Sequence, residues 1–226
     1  MAKPAPKKID DLVETFDCEQ RSDEWMNLRL GLPTASILKT IVAEGADGED
    51  SKTRTKLMNR LAAEIIFQRP METFTNQAMD RGNVQEPWAL AQYAFTRQVE
   101  VKRVGFVRRT MRDPLYGDLV FGCSPDGLVN NDGIVQAKSM QPDLIIALQK
   151  SGRFPSEHRW QLHGELWATG RQWADLYISY EDFPIALSYP IKRDEAEIAR
   201  ARKAVELFSF ELRELVKFSK QRGGIA

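Results

Sequence analysis

Between Gln98 and Lys138 the apolar residues of this 226-residue chain stop stepping by three and four and begin to alternate with polar ones. Val99, Val101, Val104, Phe106 and Val107 are interleaved with Lys102, Arg103, Arg108 and Arg109, as expected of strands with a basic solvent side. Residues 118–129 and 134–138 read as two further strands. Between them Asn130-Asn131-Asp132-Gly133 offers residues that readily take positive φ, so the pair is expected to form a hairpin. A sheet in mid-chain must be covered by whatever precedes and follows it, and both flanks carry helical spacing.

Before the strands, helices are expected over residues 21–30, 53–68 and 84–96, the second marked by Leu57, Leu61 and Ile65 with Pro70 beyond its end. A Gly- and acid-rich stretch at 44–51 reads as an exposed loop between the first two. After the hairpin come a short helix at 144–151, a longer one at 158–169 that Gly170 can cap, and strands at 175–180 and 185–191. Ile198, Ala201, Val205, Phe208, Leu212 and Leu215 then step by three and four, behind Asp194 and Glu197 as a capping pair and ahead of Gly223-Gly224. The expected fold class is α/β, a central mixed sheet flanked by helices, in one domain over 1–226 with a frayed arm at 1–9 and a C-terminal helix at 192–222. A chain this long buries roughly 70% of its unfolded surface, enough for one core.

Composition narrows function only by exclusion. Lys and Arg total 32 against 32 Asp and Glu, so no global charge argues for a nucleic-acid partner, and any such case must come from a local site. No run approaches the ~20 apolar residues of a membrane span, which implies a soluble protein with no membrane partner. Cys18 and Cys123 make no disulfide framework, suit a reducing cytoplasm, and are expected to be buried, inert thiols.

One constellation carries chemistry. Asp126, in Ser124-Pro125-Asp126-Gly127, closes one strand, while Gln136 and Lys138 lie two apart on the next and so share a face that Asp126 reaches across the hairpin. Taken alone, Ser-Pro-Asp-Gly is common turn chemistry and alternating Gln and Lys a solvated strand face. Further segments align in order with it. These are Asp23-Glu24-Trp25, Leu28-Arg29-Leu30-Gly31, Thr34-Ala35-Ser36, Arg81-Gly82 through Glu86, Cys123 to Gly127, and the helix around Gln161 with Trp167.

Over roughly residues 21–180 this set resembles the lambda exonuclease family of viral recombination nucleases, phage or prophage alkaline exonucleases with a PD-(D/E)xK core. The resemblance implies Asp126, position 136 and the carbonyl of Ala137 as ligands of Mg²⁺, with Mn²⁺ able to substitute, and Lys138 as the catalytic lysine. Hard oxygen donors suit such a cation, and an ammonium offsets charge that builds on the phosphate. It implies that Glu86 binds or orients a second metal or its water, and that Gln161 positions Lys138 or the nucleophile. It implies a terminal 5′-phosphate pocket from Arg29, Ser36 and Ser124, where a guanidinium fork and hydroxyls suit a dianion, and a duplex-parting wedge at Met79. Read without the family, Arg29 is equally a surface salt-bridge residue and Ser36 a helix N-cap before Ile37.

Two positions depart from the pattern. Position 136 is Gln where the family has an acid, and the position six after Lys138, where relatives carry a phosphate-binding Arg, is Leu144, leaving Lys150 or Arg153 to supply that contact or no residue at all. The implied activity is a Mg²⁺-dependent 5′→3′ double-strand DNA exonuclease that releases mononucleotides from 5′-phosphorylated ends. It would leave a 3′ single strand for an annealing recombinase, work as a ring-shaped homotrimer in a bacterial cytoplasm, and be impaired in this chain by Gln136. The alternatives are a DNA-end-binding protein that has lost catalysis, and an endonuclease or repair nuclease with the same core. His158 and His163, five apart on a helix, are expected in solvent or core roles rather than as metal ligands, and Trp160, Trp167 and Trp173 in packing.

Overall fold

The structure, a computed structural model, describes residues 11–43, 51–71, 77–112 and 117–224, with the side chains of 77–83 outside the description. The elements in chain order are β1 (Leu12–Phe16), α1 (Asp23–Arg29), α2 (Leu38–Ile41), α3 (Lys52–Phe67), α4 (Gln77–Arg97), β2 (Val101–Lys102), β3 (Phe106–Met111), β4 (Leu119–Cys123), β5 (Gly127–Val129) and β6 (Gly133–Ser139). They continue with α5 (Pro142–Ser151), α6 (Arg159–Thr169), β7 (Trp173–Ser179), β8 (Leu187–Lys192) and α7 (Glu195–Gly223).

The strands form two ladders, β1-β3-β4 and β2-β5-β6-β7-β8, antiparallel throughout except for the parallel pair β6 and β7 that α5 and α6 connect. The stretch expected as one strand over 118–129 is divided at Ser124-Pro125-Asp126, so that β4 pairs with β3 and β5 with β6. Pro125 has no N–H to give a ladder, which is where a strand is free to change partners. β1 was not expected; it joins the edge of the first ladder by pairing Leu12–Phe16 with Phe106–Thr110. The third helix starts at Gln77 rather than near 84, with Pro87 inside it. The C-terminal helix runs over Glu195–Gly223 rather than 192–222, with the Asp194 carboxylate accepting from the backbone N–H of Ala196 and Glu197. The arm expected at 1–9 lies outside the described residues.

Strand parity then assigns faces. Val135 and Ala137 on β6 pack with Ala89, Leu90 and Tyr93 of α4. Ile134, one residue out of phase, packs with Leu162 and Leu166 of α6 and Ile145 of α5. Gln136 and Lys138 therefore share the face that α6 covers. The third cluster joins Val205, Phe208 and Leu212 of α7 to Leu57 and Leu61 of α3 and to Phe121 of β4. Two glycines set the position of α6: a Cβ on Gly164 would lie 3.0 Å from those of Ala35 and the Leu38 Cδ2, so only Gly lets the helix approach the 3-10 turn Ala35–Ile37, and Gly170 at φ 77° ends the helix in the left-handed conformation.

Candidate active site

The hairpin register pairs Gly127 with Val135, which puts Asp126 opposite Gln136. Asp126 Oδ2 accepts from Gln136 Nε2 at 2.7 Å and from the backbone N–H of Ala137 at 2.8 Å. Both residues are enclosed, Asp126 at 6% and Gln136 at 2% exposure, and Gln136 Oε1 has no hydrogen-bond partner. Burial pushes the Asp126 carboxyl up to about 6, opposed by the Lys138 ammonium, reinforced by Glu86, and opposed again by the two hydrogen bonds. Lys138 is half-buried on the same face. The expected convergence of Asp126, Gln136 and Lys138 is the geometry observed.

Opposite them α6 presents Gln161 and, one turn on, Glu165. Gln161, anticipated to position Lys138 or the nucleophile, donates from Nε2 to Glu165 Oε1 at 2.9 Å. Glu165 is 1% exposed and its Oε2 has no hydrogen-bond partner. Burial first, and the charge of Asp126 second, push its carboxyl up to about 8, while Gln161 and Lys138 act in the opposite direction. Its charge also raises the buried Cys123 thiol, after burial itself. Glu165 thus sits among Cys123, Asp126 and Lys138, yet it is absent from the residues the motifs single out. The signal for it in sequence is an acid four residues after Gln161 inside the apolar run Leu162–Ala168, where a solvent-facing charge has no place.

Glu86 stands on α4, the helix of the opposite face. Its carboxylate is paired with Arg103 at 2.8 Å and lies 4.0 Å from Arg21, while remaining near enough to Asp126 to raise it. Glu86, Arg103 and Arg21 line a cleft of about 490 Å³ whose wall is tied to the strand switch by Gln20, donating to the carbonyls of Val104 and Pro125, each at 3.2 Å.

The expected phosphate trio meets. Ser22 caps α1, its hydroxyl accepting from the N–H of Trp25, and Arg29 in the last turn of that helix stacks its guanidinium 4.2 Å from the centre of the Trp25 ring. Arg29 donates to Ser124 Oγ at 3.0 Å and to Ser36 Oγ at 3.2 Å, and the Trp25 indole also donates to Ser124 Oγ at 2.8 Å. Ser36 lies inside the 3-10 turn and bonds Thr34, so it is not the N-cap of a helix. Among the described residues no carboxylate lies within 4.0 Å of Arg29, so the surface salt-bridge reading of it does not hold. Burial lowers its guanidinium to about 10, opposed first by Cys123, with Arg60 then adding to the lowering and Glu64 opposing it. The group opens on a cleft of about 420 Å³ that Thr34, Arg60 and Glu64 also line.

Other candidates stand apart. Met79 falls on α4 with its side chain outside the described residues. Leu144 is exposed on α5, as are Lys150 at its end and Arg153 just beyond. His158 is lowered by burial and then by Lys138, which places it beside the site, whereas buried His163 faces Glu197 and Arg159. Trp167 stacks on Phe121 in the core at 4.2 Å between centres, and Cys18 is half-buried where a buried thiol was expected.

Among the described residues no three of His, Cys, Asp and Glu form a metal cluster. The donors that do converge are all oxygens, and two of them, Gln136 Oε1 and Glu165 Oε2, are buried without a partner. Buried oxygens left unpaired are costly unless a cation or a donor meets them, so the set fits a hard divalent ion.

Residues 24–172 match the family model of a YqaJ-like viral recombinase domain. Among solved structures, the chain is similar to an alkaline exonuclease (LHK-Exo) from Laribacter hongkongensis, with a TM-score of 0.76 and 29% identity over 90% of this chain and 98% of that one. The structure of LHK-Exo in complex with dAMP matches with the same values. A phage related exonuclease from Haemophilus somnus 129PT shares the fold at a TM-score of 0.59 and 15% identity, covering 83% of this chain and 96% of that one. No curated protein matches the chain.

Proposed function

Since the chain belongs to the YqaJ-like viral recombinase family, we propose that it is a divalent-metal-dependent exonuclease that degrades the 5′-phosphorylated strand of duplex DNA ends. Its mixed sheet flanked by helices is that of the PD-(D/E)xK-type alkaline exonucleases. The observation that carries the reading is the spacing of two sites on one turn. Ser124 belongs to the phosphate-binding group and Asp126, two residues on, to the metal-binding group, so a terminal phosphate gripped by Arg29 fixes the neighbouring diester beside Asp126 and Lys138.

Asp126, Gln136 Oε1 and the Ala137 carbonyl would hold Mg²⁺, or Mn²⁺ in its place, which supplies Lewis-acid activation of phosphate and water. Lys138, half-buried and without an ion pair among the described residues, meets the charge that builds on the phosphate during attack. Arg29 offers a planar fork already oriented by Trp25, Ser36 and Ser124, so little freedom remains to be lost on binding. A 5′→3′ direction follows from anchoring at the 5′ end, with mononucleotide release leaving a 3′ strand for an annealing recombinase.

A ring-shaped homotrimer belongs to this reading; the basic side of β3 is largely neutralised, since Arg108 pairs with Glu14 at 2.9 Å and Arg109 with Asp11 at 2.8 Å. No helix among the described residues is long and apolar enough to cross a membrane.

The test is to incubate linear duplex, with and without 5′-phosphate, in Mg²⁺ and to measure acid-soluble nucleotide, with closed circular duplex as control. Release from phosphorylated linear DNA alone is expected. Cutting of the circle would indicate an endonuclease instead. The neutral Gln136 favours a second reading, a protein that binds ends without cleaving them, which binding without nucleotide release would support.

A further inference from the structure

The carboxylate of Glu165 has no part in the site as the motifs describe it. It stands on α6 over the β6 face that carries Gln136 and Lys138, in a helix whose neighbouring residues Leu162 and Leu166 are fully buried. Gln161 satisfies one of its oxygens and nothing satisfies the other. A role as acceptor for Gln161 explains Oε1 only; an acid placed in a buried helix for that purpose leaves Oε2 buried and unpaired, which a smaller residue would avoid.

The second unpaired oxygen of the region is Gln136 Oε1, at the position where an anionic ligand is wanted and a neutral one stands. The two features complement each other: the strand lacks a carboxylate ligand, and the helix packed on the same face offers a carboxyl, within electrostatic range of Asp126 and Lys138.

We propose that Glu165 is an anionic ligand of the divalent metal, so that α6 returns to the site the charge that Gln136 withholds. The metal then lies between the hairpin and α6, held by Asp126 and Glu165 with Gln136 Oε1 as a neutral third donor. Gln161 becomes a positioning residue that fixes the Glu165 carboxylate. The proposal rests on the metal-dependent reading above, and it makes this chain a competent nuclease rather than an impaired one.

Binding of Mn²⁺ to the full chain, stripped with EDTA and followed by isothermal titration calorimetry, tests it in four proteins: the parent, Asp126→Asn, Glu165→Gln, and the exchange Gln136→Glu with Glu165→Gln. Asp126→Asn is expected to abolish binding and Glu165→Gln to weaken it at least about tenfold, as loss of a ligand charge does. The exchange should return affinity close to that of the parent. Parent-like binding by Glu165→Gln, with Asp126→Asn still dead, overturns the proposal and leaves the hairpin site standing. Binding that ignores Asp126→Asn, or no binding by the parent, overturns the hairpin site itself. Should Glu165→Gln alone fold poorly by circular dichroism, the exchange decides: affinity more than about tenfold above the parent means that position 136 was short of a charge and Glu165 was not supplying it.

Discussion

Replacing Arg29 by Ala should remove discrimination between 5′-phosphorylated and 5′-hydroxyl ends. In the free protein the guanidinium donates hydrogen bonds to neutral hydroxyls, Ser124 at 3.0 Å and Ser36 at 3.2 Å, and has no carboxylate partner among the described residues. Partial burial has already removed much of its water, as its lowered pKa of about 10 records. A dianion entering the cleft therefore meets a cation that folding has already stripped of much of its water. One hydrogen bond to a charged group is worth about 1.5–3 kcal/mol, or roughly 10–150-fold in Kd. We expect a loss of that size for phosphorylated duplex and almost none for hydroxyl ends, measured by fluorescence anisotropy of labelled duplex in EDTA to prevent cleavage. Arg29→Lys should recover only part, because an ammonium keeps the charge without the fork. Loss of the stack on Trp25 removes about 0.5–1 kcal/mol of folding stability, visible as a small drop in melting temperature. A parent that binds both end types equally, or an Arg29→Ala that weakens both equally, refutes the pocket.

Metal-free protein should lose stability as pH rises from about 5 to 9. Asp126, raised to about 6, and Glu165, raised to about 8, bind protons more tightly folded than unfolded, so their contribution is full below ordinary carboxylate pKa values and is lost on passing upward through 6 and 8. Stabilisation by Mg²⁺ should grow over the same window, since the ion competes with those protons; melting curves that do not respond to pH in EDTA would contradict both. Gln136→Glu should change nuclease rate by less than about tenfold if Glu165 already carries the ligand charge, whereas a rise by orders of magnitude in acid-soluble release would show that position 136 was limiting. Phe208→Ala should cost about 3–5 kcal/mol in urea denaturation, since the ring is fully buried between α3 and α7 with Arg54 5.2 Å over it, and a loss below about 1 kcal/mol would mean that this core collapses to fill the space.

The sequence by itself determined the elements whose signals are local. The spacing of Leu57, Leu61 and Ile65 and of Ile198 to Leu212 marks α3 and α7, because an amphipathic stripe repeats within each helix. The turn at Asn130 to Gly133 sets the hairpin, and with it the meeting of Asp126, Gln136 and Lys138, since two strands joined by a tight turn have little choice of register. The residue types of the proposed phosphate pocket were legible too, but their encounter was not: Arg29, Ser36 and Ser124 come from three segments that meet only because α1, the 3-10 turn and the strand switch pack together. β1 escaped notice because its pattern has no buried face of its own; its partner β3 is remote in the chain, and that pairing also decides that Arg108 and Arg109 are spent on Glu14 and Asp11. Glu165 shows the limit most clearly. Its type and its place on a helix can be read from the chain, but whether a carboxylate there faces solvent, core or the Asp126 hairpin depends on which side of α6 lies against β6. Gly164 settles that by its contact with Ala35, a long-range packing event with no local signature.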